Sequence, residues 1–150
     1  MNKIFYFFII IFFKLNIAHS LIEVDITRGN LDPLPIAVSP LHVDIQSEKY
    51  EDIKIKELGN LISSVIEKNF KSTGLFNPLN KDAFVQKPDI AHLKPRFEDW
   101  RLITAQALVT GKILIKDGKL KVEFRLWDLA ASQEMTALAF TTTPSNWRRV

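Results

Sequence analysis

The stretch that decides the fold runs from Ala105 to Thr143 and reads AQALVTGKILIKDGKLKVEFRLWDLAASQEMTALAFTTT. Ala105 to Lys116 is rich in β-branched and apolar residues. Asp117-Gly118 follows, a dipeptide suited to the two left-handed positions of a tight hairpin turn. Lys119 to Asp128 then alternates, with Leu120, Val122, Phe124 and Leu126 on one face and Lys119, Lys121, Glu123, Arg125 and Trp127 on the other. Period two marks strands with one buried face. Ala130 to Gln133 turns the chain again, and Glu134 to Thr142 makes a third strand. The expectation is an antiparallel three-stranded meander.

Upstream, the period changes. Over residues 54–72, Leu58, Leu61, Ile62, Val65 and Ile66 recur at the spacing of one helical face. Lys54, Lys56, Glu57, Glu67, Lys68 and Lys71 lie mostly elsewhere. Gly74 is placed to end this helix in a left-handed cap, and Asn77-Pro78 prevents its continuation. Leu34 to Val38 is a short apolar stretch that Pro35 restricts to an edge or irregular strand. Residues 77–98, with Pro78, Pro88 and Pro95, read as a structured connection with a helical turn near Lys81–Phe84. At the far end, Ser145 or Asn146 suits an N-cap, and Trp147-Arg148-Arg149-Val150 reads as a first helical turn. The fold class is α/β of the α+β type, a helix-flanked mixed sheet containing the meander.

The first twenty residues stand apart. A short basic start at Lys3, ten apolar residues from Ile4 to Phe13, and Ala18-His19-Ser20 form a secretory signal pattern. A membrane anchor needs about 20 apolar residues, and Lys14 interrupts this run. Residues 1–20 are therefore read as a signal peptide and 21–150 as one domain. Residues 1–20 hold two of the 20 basic side chains and none of the 17 acidic ones, leaving 18 against 17. That balance lacks the basic footprint of a nucleic-acid binder. The chain has no cysteine, which excludes disulfides and thiolate chemistry.

Residues suited to catalysis are scattered. His42 and His92 are isolated and read as solvated loop histidines. Glu98-Asp99 reads as a surface turn or a helix start. The glycines stand too far apart to cradle a phosphate. No catalytic residue, cofactor or metal ligand is assigned. Trp100-Arg101, Arg125 with Trp127, and Trp147-Arg148-Arg149 pair aromatic rings with cations. Arg125 and Trp127 share a strand face, so a cation–π contact is open to them. The simpler reading is that these side chains cover the second face of the sheet or a domain contact.

Leu21-Ile22-Glu23-Val24-Asp25-Ile26-Thr27-Arg28 alternates as a half-buried strand before the break at Gly29-Asn30. Such a segment either joins the sheet of its own domain or adds to the exposed sheet edge of a partner.

Five segments in order resemble the amino-terminal domain of the TolB family. They are IEVDITRGNLDPLPIAV at 22–38, STGLFNPLN at 72–80, PRFEDWRLITAQALVTGKI at 95–113, KLKVEFRLWDLAASQ at 119–133 and FTTTPSNWRRV at 140–150. Residues 41–53 and 86–94 match little beyond length. The resemblance implies two helices packed on a mixed sheet, the second of which continues past Val150 in the family and leads into a six-bladed β-propeller. It implies a periplasmic, non-enzymatic protein of the Tol–Pal system, which supports outer-membrane integrity and invagination during cell division. It also implies that the first dozen residues after the signal, 21–32, contact the carboxy-terminal domain of TolA, with Leu21 to Arg28 as the strand among them. Contact with Pal would need the propeller. The chain ends inside its expected last helix, as a fragment or a truncated reading frame.

Overall fold

The computed structural model describes residues 32–44 and 55–150. Its centre is a mixed sheet built from β1 (Leu34–Val38), β2 (His42–Val43), β3 (Phe76–Pro78), β4 (Ala107–Lys116), β5 (Lys119–Asp128) and β6 (Gln133–Thr142). The spatial order is β3-β1-β4-β5-β6, with β2 also pairing with β4. β1 runs parallel to both β3 and β4, and β2 runs parallel to β4. The expected meander is present: β4 pairs antiparallel with β5 in ten consecutive registers, and β5 pairs antiparallel with β6. Asp117 (φ 52°) and Gly118 (φ 67°) take the two left-handed positions of the first turn.

The long helix, α1 (Ile55–Thr73), lies within one residue of its expected bounds. Leu58 and Ile62 are fully buried against Leu41, Ile113, Ile115, Leu120 and Val122, while Leu61 remains exposed. Gly74, at φ 72°, ends the helix as its position requires. Gly59 serves a different need. A Cβ there would collide with the carbonyl oxygen of Leu41, so its absence lets the helix lie against the β1–β2 connection.

Pro35 did not confine β1 to an edge. β1 lies between β3 and β4, and Ile36, Ala37 and Val38 are buried. The proline is tolerated because registers with β4 begin only at Ile36–Ala107. Pro35 needs only its carbonyl on that side, and the carbonyl accepts from the Gln106 amide at 2.9 Å. The expected irregular span 77–98 is largely organised. It contains the end of β3, a 3₁₀ turn at Lys81–Ala83 close to the expected one, α2 (Pro88–Ala91) and the first residues of α3 (Phe97–Leu102). The end of the chain differs from expectation too. Pro144–Arg149 forms 3₁₀ turns kinked at Asn146, and the N-cap position belongs to Thr143 rather than Ser145 or Asn146.

Three layers result. α1 covers one face of the sheet, over Ile36, Val38, Val109, Ile113 and Val122. The opposite face carries a second cluster, with Trp100, Ala91, Leu108, Trp127 and Leu129 at its centre and Phe84, Phe97 and Ile103 around it.

Candidate functional site

The residues expected to bind a partner, Leu21, Ile22, Glu23, Val24, Asp25, Ile26, Thr27 and Arg28, lie outside the described residues, as does the signal segment 1–20. The described part supplies three other places where polar chemistry or exposed apolar surface concentrates.

The first is a histidine pair. His42 on β2 and His92 just after α2 stack at 4.2 Å between ring centroids, with planes 6° apart. Both are half-buried, which corrects their reading as separate solvated loop histidines. Fifty residues of sequence separate them, and only the parallel pairing of β2 with β4 brings β2 beneath α2. A His92 ring nitrogen, Nδ1, lies 3.0 Å from the Pro88 carbonyl. Beside the pair, Lys112 Nζ meets Asp44 Oδ2 at 2.6 Å. Burial first, and the charge of His92 second, hold the His42 pKa below its ordinary value, against the opposing pull of Asp44 and Asp89. No group of three or more His, Cys, Asp or Glu able to hold a metal ion occurs among the described residues.

The second is a lysine tether. Lys81 Nζ donates to Ser63 Oγ at 2.9 Å and to Ser64 Oγ at 3.3 Å, and pairs with Glu67 at 3.0 Å. A serine–lysine nucleophile needs a lysine that takes the serine proton. Here Ser63 Oγ gives its own proton to the Asn60 carbonyl, and Lys81 acts as the donor. The arrangement pins the turn after β3 to α1.

The third is the outer half of the sheet. Phe124, Leu126, Leu138 and Phe140 share the α1 face with Ile66, Phe70 and Val150, around an apolar cleft of about 350 Å³. α1 does not reach far enough to close it. Leu138 is 55% and Phe140 43% exposed, and Gln133 through Thr141 of β6 are all exposed. The sequence reading identified β6 as a strand and did not single out which of its residues lie exposed. The available signal was the absence of charge and proline from Met135 to Thr143.

The tryptophans divide. Trp100 is buried and donates to Gln86 Oε1 at 2.9 Å, and the Arg96 amide donates to the same oxygen. Trp127 donates to Thr110 Oγ1 at 2.9 Å. Both cover the second face of the sheet, as the simpler reading held. The open cation–π contact of Arg125 with Trp127 is not made, since Arg125 pairs with Glu134 at 2.9 Å. The contact occurs instead at Arg148 over Trp147, 5.1 Å from the ring centroid. Glu98 and Asp99 occupy the first turn of α3, a helix start, and Asp99 pairs with Arg96 at 2.6 Å.

The family model for the TolB amino-terminal domain matches residues 22–135. The chain belongs to the TolB family. It is 64% identical to the Tol-Pal system protein TolB of Pelagibacter ubique over its whole length, and it spans about a third of that relative (33%). Among solved structures, TolB from Acinetobacter baumannii superposes on 78% of this chain and 25% of its own, with a TM-score of 0.59 at 18% identity. The carboxy-terminal domain of LpoB from Escherichia coli superposes on 77% of this chain and 87% of its own, with a TM-score of 0.55 at 6% identity. At those identities the likeness is one of fold. The shared architecture is the α+β mixed sheet expected from the sequence.

Proposed function

We propose that this TolB-family chain is a periplasmic, non-catalytic binding module of the Tol–Pal system. In this reading residues 1–20 direct export and are removed, and residues 21–150 form the working domain. Leu21 to Arg28 adds as a strand to the carboxy-terminal domain of TolA, with Ile22, Val24 and Ile26 filling pockets along the edge. The module thereby supports outer-membrane integrity and invagination during division. Pal is a partner only of a chain that carries the propeller.

The observation that carries this reading is the family match over residues 22–135. Two others support it. Within Leu21 to Arg28, Ile22, Val24 and Ile26 alternate with Glu23, Asp25 and Thr27 ahead of Gly29-Asn30. No helix among the described residues is long and apolar enough to cross a membrane. A second reading, a purely structural domain without activity of its own, draws on the exposed apolar cleft beside Val150, a surface suited to packing against further protein.

Calorimetric titration against the TolA carboxy-terminal domain separates the two. Residues 21–150 should bind, and the same protein lacking 21–32 should not. Absence of binding by a chain that circular dichroism shows to be folded would leave the structural reading.

A further inference from the structure

The sheet ends differently at its two described edges. β3 is three residues long and closes with Pro78, a short edge with a proline that cannot donate to a further strand. β6 is ten residues long, pairs among the described residues with β5 on one side only, and contains no proline and no lysine. Its one charge, Glu134, is engaged by Arg125. The register of β5 with β6 shifts between Leu126 and Trp127, opposite Met135, so the strand is regular from Thr136 to Thr142. Those seven residues, Thr-Ala-Leu-Ala-Phe-Thr-Thr, carry no charge. An uncharged, regular and exposed edge is a template for another strand.

We infer that β6 is a self-association edge, pairing antiparallel with β6 of a second copy of this chain about a two-fold axis at Ala139. The sequence selects this occupant because the seven residues nearly read the same in both directions. With Ala139 facing the partner's Ala139, Leu138 meets the partner's Phe140, Ala137 meets the partner's Thr141, and Thr136 meets the partner's Thr142. The Ala–Ala, Leu–Phe and Thr–Thr pairs match in kind, and the remaining one sets a small alanine beside a threonine. The Leu–Phe pairs form twice and lie on the α1 face, since Leu138 and Phe140 sit opposite Phe124 and Val122 of β5. Phe140 already packs edge-on against Phe124 at 6.0 Å. On the other face the small Ala137 and Ala139 let the backbones approach. Glu134 falls outside the paired stretch, so no like charges are opposed. The closed two-fold consumes both free edges and stops at two copies.

Sedimentation velocity on the full chain over a concentration series tests the pairing. The parent should double in mass as concentration rises. Leu138→Lys removes the apolar pair twice over and sets an ammonium in the seam, from a position already half exposed in the monomer. It should raise the dissociation constant about tenfold or more. Because the chain has no cysteine, single cysteines report the register directly. Ala139→Cys should crosslink to its own copy under mild oxidation, while Gln133→Cys, at the far end of the strand, should not. A parent that stays monomeric, an unchanged dissociation constant in Leu138→Lys, or equal crosslinking at positions 133 and 139 each overturns the inference.

Discussion

β4 and β6 are both ten residues long and both lie antiparallel to β5, yet their surroundings are opposite. β4 is packed on both faces, with Leu108, Ile113 and Ile115 fully buried. β6 is exposed along nearly its whole length. The difference lies in the layers, not in the strands. α1 and the 84–103 segment both centre on β4, one above it and one below, and neither extends across β6. Strand propensity places a residue in a ladder, whereas burial depends on what covers the ladder.

The comparison predicts its own largest effect. Ile113→Ala removes a fully buried side chain from the α1 interface and should cost about 2–5 kcal/mol. The urea midpoint would shift with little change in slope. A loss under about 1 kcal/mol would mean that β4 is not the packed centre described.

Gly59→Ala tests how closely α1 is held. Alanine is favoured over glycine in a helix by about 1 kcal/mol. At position 59 the new methyl meets the Leu41 carbonyl, which is backbone and cannot swing aside. Overpacking of this kind costs about 1–3 kcal/mol, so the net change should be a loss, measured by urea unfolding. A gain in stability would show that the β1–β2 connection yields freely.

The meander and α1 were legible because their signals are local. Alternation over Lys119 to Asp128, Asp117-Gly118, the helical spacing from Leu58 to Ile66, and Gly74 each act within a few residues. What stayed hidden depends on partners distant in sequence. Pro35 points to an edge strand by local rules, yet β1 is interior because β4 begins to pair only beyond the proline. Arg125 and Trp127 share a strand face, yet α3 covers only Trp127, through Phe97 at 5.8 Å. His42 and His92 meet only after β2 docks on β4. Leu21 to Arg28 was the one candidate site legible in the sequence, by its alternation and its likeness to the family. Its role rests on that reading, since it lies outside the described residues.

A smaller effect belongs to the covered side. The native state holds the His42 pKa below its unfolded value, so between the two values the unfolded chain binds more protons. The contribution of neutral His42 is whole above the unfolded value near 6.5 and is lost as pH falls through the lower native value. Urea midpoints should therefore drop as pH is taken from about 7.5 to about 5.5. His42→Gln should flatten that dependence. An unaltered slope in the variant would assign the pH dependence to other groups.

The smallest effect is expected on β6. Leu138→Ala removes a side chain that α1 does not cover, and at high dilution the loss should stay within about 0.5 kcal/mol, as for other surface positions. The same substitution that leaves the monomer nearly unchanged would remove half of each Leu–Phe pair in the proposed seam. Its apparent cost should then grow with protein concentration, because association stabilises the parent by mass action and the variant less. Ile113→Ala should show its full cost at every concentration. A Leu138→Ala loss that is large even at high dilution would mean that β6 is supported within the monomer by contacts its exposure does not reveal, and the contrast with β4 would collapse.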